Sequence, residues 1–236
     1  MNDAKRGDAN RKSILICDCD GVLIDSEAVA ARMLVSELAA RWPDADVEPV
    51  VLPLLGLRIE RVLATSAAQL GKSLAPGDIE AIRGAVEAVA MEAPPVAGIE
   101  EALTRIHLTK ACASNSYTDY VEAVLVRTGL ARFFGERIFC ADSVEQPKPA
   151  PDVYLAAARA LGVVPQACLV VEDSVTGVTA ASAAGMTVLG FIGGGHATSA
   201  QVDALRGVGA RHIFDDMSEL PALVERWLGS GVLSLH

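Results

Sequence analysis

The chain has 236 residues, of which 51% are hydrophobic and 21% charged, values that exclude intrinsic disorder, collagen-like repetition and low-complexity scaffolding. Thirty acidic against twenty basic residues give a net charge of -10, which repels nucleic acid and anionic membrane surfaces and excludes both as expected partners. Aromatics at 4%, with alanine, valine and leucine carrying the apolar content, favour helix–sheet packing over an aromatic-rich β-sandwich.

The opening Met1–Lys12 is polar and charged, with no secretory pattern, and is expected to be a flexible tail. No run of about 18 apolar residues follows, so no membrane span is expected and the cytoplasm is the expected compartment. The first strand-length apolar run is Ile14–Cys17. Helical spacing then recurs at Val29, Met33, Leu34 and Leu38, at Ile59, Val62, Leu63 and Leu70, and at Ile79, Ile82, Val86 and Val89. Further strand-length runs lie at Lys110–Ala113, Ile138–Ala141, Cys168–Val171 and Thr187–Phe191. Helices are expected between them at Ile99–Ile106, Tyr117–Thr128, Asp152–Leu161 and Val175–Ala184, with Gly129, Gly162 and Gly185 as stops.

Alternating strands and helices imply α/β architecture with a doubly wound, Rossmann-like parallel sheet. About ninety residues separate the first two strands, far more than a crossover needs, so a small helical domain is expected over 28–93. The turn-prone Asp25-Ser26 and the pair Pro94-Pro95 mark its two linkers, which makes it a candidate movable cap. The core then comprises 13–27 and 94–228, with a second flexible tail at 229–236.

In open α/β sheets a ligand binds beyond the carboxyl ends of the strands. Asp18-Cys19-Asp20-Gly21 follows the first strand, Ser114-Asn115-Ser116 the second, a loop to Lys148 the third, and Glu172-Asp173 the fourth. Carboxylates gathered at one edge repel by about 4 kcal/mol per pair at about 4 Å and an effective dielectric near 20, a conflict that a divalent cation removes. An all-oxygen donor set selects a hard ion, and magnesium is the expected cofactor. With that ion, and with Lys148 and the Ser114 hydroxyl as donors, the edge can receive a phosphate dianion.

The segments Asp18–Glu27, Ala113–Ser116, Lys148-Pro149-Ala150-Pro151-Asp152-Val153-Tyr154 and Val171-Glu172-Asp173-Ser174 resemble, in order and spacing, the four signature motifs of the haloacid dehalogenase superfamily. The helical insert resembles the cap of its β-phosphoglucomutase-like and phosphoglycolate-phosphatase-like branch. The resemblance spans Ser13 to about Leu228. It implies that Asp18 is the nucleophile forming an aspartyl-phosphate and that Asp20 is the acid and base. It further implies magnesium on the Asp18 carboxylate, the Asp20 carbonyl and Asp173, with Glu172 as a further or outer ligand. Ser114, Asn115 and Lys148 would hold the transferring phosphoryl group. Arg58, after Gly56 in the cap, is a candidate for the substrate's distal group.

The expected function is therefore a magnesium-dependent phosphatase acting on a small phosphorylated metabolite, a sugar phosphate in particular. A β-phosphoglucomutase-like phosphomutase and a non-catalytic binding protein are the alternatives. Such mutases carry a histidine twelve residues after the nucleophile, where this chain has Ala30. A carbon-directed dehalogenase has no use for the second aspartate or for Glu172-Asp173. The five cysteines are expected to be reduced, with Cys17 and Cys19 structural. No exposed apolar helix demands a partner, which favours a monomer over a homodimer.

Overall fold

A computed structural model describes residues 13–193 and 199–229. Six strands form one parallel sheet: β1 (Ile14–Cys17), β2 (Thr109–Ser114), β3 (Ile138–Cys140), β4 (Cys168–Glu172), β5 (Thr187–Phe191) and β6 (His212–Phe214). Their order is β3-β2-β1-β4-β5-β6, which is the doubly wound arrangement expected from the sequence. The short run around Ile213 was not expected as a strand. Three residues between Arg211 and Asp215 are too few to show a period, and pairing with β5 is what defines β6.

β1, β4 and β5 are buried along their whole length on both faces, as inner parallel strands are, while the edge strands β3 and β6 are only partly buried. Leu15 and Cys17 of β1 join Cys112, Leu169 and Val171 in a cluster with Ile99, Val121, Val124 and Trp227, from the helices Ile99–Arg105, Thr118–Arg127 and Leu220–Gly229. Ile14, Ile16, Ala111 and Val170 face the other way, onto Tyr154, Ala157 and Val178 of the helices Asp152–Ala160 and Val175–Ala183. The four core helices expected from the sequence are found within one or two residues of their expected ends. The helices Ser199–Gly207 and Leu220–Gly229 were not anticipated, and the latter takes in Gly229, which was expected to begin the tail. Residues 1–12 and 230–236, Gly194, Gly195, His196 and His236 lie outside the described residues.

Between β1 and β2 the chain forms the helices Glu27–Arg41, Glu48–Val51, Ile59–Leu70 and Pro76–Met91. Leu34, Leu38, Trp42, Val51, Leu63 and Ile82 pack together as an apolar cluster separate from the two flanking the sheet. The two connections to this helical layer run side by side. Asp25 N–H donates to Pro94 O at 2.9 Å, and Val96 N–H donates to Leu23 O at 3.0 Å. No helix among the described residues is long and apolar enough to cross a membrane.

Candidate active site

Register places the chemistry. Cys17, the last residue of β1, lies level with Cys112 of β2 and Val171 of β4. Asp18, whose N–H donates to Val171 O at 3.0 Å, therefore leaves the sheet next to Glu172, where the strand order changes direction. Ser114 ends β2 and Glu172 ends β4 at the same edge.

Lys148 reaches this edge from the loop after β3 and is buried there. Its Nζ donates to Asp18 Oδ1 at 2.6 Å, to Glu172 Oε1 at 2.6 Å and to Ala113 O at 2.9 Å. An ammonium has three protons, so all are committed. Burial alone would favour the neutral amine, but Asp18 and Glu172 hold Lys148 protonated. Asn115 fixes the loop from which Lys148 projects, because its Oδ1 accepts from Lys148 N–H at 2.8 Å and its Nδ2 donates to Lys148 O at 3.1 Å. Ser114 Oγ accepts from Ser116 N–H at 3.0 Å.

Glu172 is fully buried and takes five protein donors. Oε1 accepts from Lys148 and from Tyr154 OH at 2.7 Å. Oε2 accepts from Asp173 N–H, Ser174 N–H and Ser174 Oγ at 3.0 to 3.2 Å. Ser174 Oγ also accepts from Gly177 N–H, capping the helix that starts at Val175. A Cβ on Gly177 would lie 1.7 Å from Glu172 Oε1, so only glycine lets the helix approach this carboxylate. Gly21 does the same for Asp173: its φ is +81°, and a Cβ there would lie 1.8 Å from Asp173 Oδ2.

Asp18, Glu172 and Asp173 each present an oxygen within 4.8 Å of the other two, all buried. Burial pushes Asp18 up to about 8 against the downward pull of Lys148, with Glu172 and Asp20 adding to the rise. Asp173 also stands well above the usual carboxylate range, through burial first and then Glu27, Glu172 and Asp18. Two buried carboxyls that resist ionisation beside a third carboxylate and only one ammonium are the donor set a hard cation fits.

Asp20 lies outside that close acidic set, lines the same cavity as Asp18 and Asp173, and takes three hydroxyl donors. Ser26 Oγ donates to Oδ1 at 2.6 Å, Tyr120 OH to Oδ1 at 2.8 Å and Ser116 Oγ to Oδ2 at 2.8 Å. The sequence singled out none of these three as supports. Tyr154 lay inside a motif segment but was given no role, since nothing in one sequence says which way a helical tyrosine points.

The helical layer closes over this edge around a cavity of about 180 Å³. Asn115 Nδ2 donates to Gly56 O at 3.0 Å, and Tyr117 OH donates to Glu60 Oε1 at 2.7 Å. Arg58 lines the cavity with its guanidinium 4.6 Å from the Tyr117 ring centroid and 3.5 Å from Glu60 Oε2. Ala30 lines the same cavity. All five cysteines are free and buried, and Cys17, Cys19 and Cys112 pack in one apolar cluster.

Residues 12–185 match the model of the family described as haloacid dehalogenase-like hydrolase. The chain is 30% identical over 223 residues to the protein Suppressor of Quenching 1, chloroplastic, of Arabidopsis thaliana, which covers 90% of this chain but only 20% of that protein. It is 33% identical to hexitol phosphatase B of Escherichia coli (strain K12), over 72% of this chain and 79% of that one. A crystal structure of a hydrolase of the same family from Deinococcus radiodurans R1, with bound phosphate and sodium, superposes with a TM-score of 0.72 at 32% identity, covering 94% and 98% of the two chains. The family model extends over most of the chain, and the sheet order and strand-end residues agree with it: the chain belongs to the haloacid dehalogenase-like hydrolases.

Proposed function

We propose that the protein is a magnesium-dependent phosphatase that hydrolyses a small phosphorylated metabolite through an aspartyl-phosphate at Asp18. The observation that carries this reading is the buried set of Asp18, Glu172 and Asp173 around Lys148 at the sheet's switch point. The family's hydrolase assignment and the phosphatase among its relatives support it. The name of that relative also supports a sugar or sugar-alcohol phosphate as the substrate class.

Asp18, Asp173 and the Asp20 carbonyl would hold the cation. Glu172 belongs to the same acidic cluster, but its oxygens already take five protein donors, so it acts chiefly by holding Lys148 and the loop after β4. Bound there, magnesium supplies positive charge to the phosphoryl oxygens and offsets carboxylate repulsion. The chain's own groups do the bond changes. An Asp18 oxygen attacks phosphorus as the bond to the leaving oxygen breaks, and that oxygen takes a proton from Asp20. Water then attacks phosphorus and gives a proton to Asp20, and the bond to Asp18 breaks, releasing phosphate. Lys148, held between Asp18 and Glu172, orients the nucleophile and meets the phosphoryl charge, with Ser114 and Asn115 beside it.

The 28–93 layer serves as the cap. Arg58, stacked on Tyr117, would meet the distal part of the substrate. Ala30 offers the cavity no proton carrier, which favours release of phosphate over its return to a sugar. Phosphate release from an aryl phosphate and a panel of sugar phosphates tests the reading. Turnover is expected with magnesium, to stop with chelator, and to fall by at least about a thousandfold in Asp18→Asn. Absence of turnover from folded protein on the whole panel would overturn it.

A further inference from the structure

We propose that Tyr154 is a positioning residue of this site, acting through Glu172 to keep the Lys148 ammonium against Asp18. The inference rests on the phosphatase reading above and adds a residue to it. Tyr154 lies on the helix Asp152–Ala160, one layer away from the cavity, and is fully buried. Its hydroxyl donates at 2.7 Å to Glu172 Oε1, the same oxygen that receives Lys148 at 2.6 Å. Its ring also stands under the ammonium, with Lys148 Nζ 4.9 Å from the ring centroid.

The hydroxyl is not needed to fill space, since phenylalanine would pack the same ring among Val153, Ala157 and Val178. Nor does Glu172 need it for a partner, because Lys148 already satisfies Oε1. What a second donor on Oε1 does is share that oxygen's charge. Lys148 lies 2.6 Å from Glu172 and 2.6 Å from Asp18, an even division between two carboxylates. Removing the phenolic O–H concentrates charge on Oε1, draws the ammonium toward Glu172 and loosens it from Asp18. In a site this buried, such competition is decided by individual hydrogen bonds.

Tyr154→Phe deletes the hydroxyl alone. With the aryl phosphate and magnesium, kcat is expected to fall about tenfold while KM stays within about twofold, since Lys148 matters most as charge develops in transfer. Glu172→Gln should lower kcat further, and adding Tyr154→Phe to it should change little, because both act through Oε1. Unchanged kcat in Tyr154→Phe, or a full tenfold loss on top of Glu172→Gln, would overturn the proposal. A readout independent of turnover is the pair of crystal structures of the wild type and Tyr154→Phe. Lys148 Nζ should move away from Asp18 Oδ1 in the variant, and an unmoved ammonium would also overturn the proposal. If the wild type hydrolyses no phosphate ester, the phosphatase reading fails by itself, and the two structures still decide the role of Tyr154.

Discussion

Lys148 Nζ donates to Asp18 Oδ1 at 2.6 Å with only 2% of the lysine side chain exposed. A buried ion pair is costly to desolvate and more costly to break. On the proposed mechanism, this contact gives Lys148 a structural role as well as a catalytic one.

Lys148→Met should show both. It leaves Asp18 and Glu172 without their cation, so urea unfolding should report a loss of about 3–5 kcal/mol. Phosphate release should fall to near background. Retained stability would mean that the two buried carboxyls take up protons once the ammonium is gone, and that Lys148 has no structural role.

Gly177 and Gly84 make a paired test of packing. A Cβ at Gly177 would strike Glu172 Oε1, whereas one at Gly84, in the helix Pro76–Met91, meets nothing within 4 Å. Gly177→Ala should lower the thermal midpoint, at a cost of about 1–3 kcal/mol, and reduce activity by displacing Glu172. Gly84→Ala should raise the midpoint, with a stability gain of about 0.5–1 kcal/mol, and leave activity unchanged.

The raised carboxyls predict how stability without metal depends on pH. Asp18 titrates near 8 in the folded protein and near 3.8 as an ordinary carboxyl, so between these values the folded state holds a proton that the unfolded chain has lost. Its stabilising effect is complete below the lower value and disappears as pH rises through the upper one. Asp173 shifts in the same direction. With chelator, the thermal midpoint should fall from pH 5 to pH 8. Magnesium, which competes with those protons, should raise it more at pH 8 than at pH 5. Parallel curves with and without magnesium would contradict this arrangement.

Tyr117 ties the helical layer, the proposed cap, to the core. Tyr117→Phe removes the donor to Glu60 Oε1 but keeps the ring beneath Arg58. Closure should weaken, raising KM about three- to tenfold with a smaller change in kcat, as steady-state kinetics would show. An unchanged KM would mean that Asn115 and the packing at Gly56 hold the cap alone.

The sheet's first five strands were legible because buried parallel strands are short, uniform apolar runs, and their polar ends marked one edge. β6 was not, since His212-Ile213-Phe214 is too short to carry a pattern. Asp18, Asp20, Glu172 and Asp173 stood out as charges placed just after apolar runs, and Lys148 as the charge on the loop that follows the third run. Their supports did not. Ser26, Ser116, Tyr120 and Tyr154 are ordinary helix and loop residues until folding aims their hydroxyls, and Gly177 reads as a weak helix former until Glu172 comes to lie against it.

In the proposed mechanism Asp18 itself carries the phosphoryl group. Acid quenching during turnover of a good substrate, followed by borohydride reduction and peptide mass spectrometry, reads this directly. A reduced aspartyl derivative is expected at Asp18, and only there, in dependence on substrate and magnesium. Steady turnover with Asp18 unlabelled, or label at another carboxylate, would contradict it.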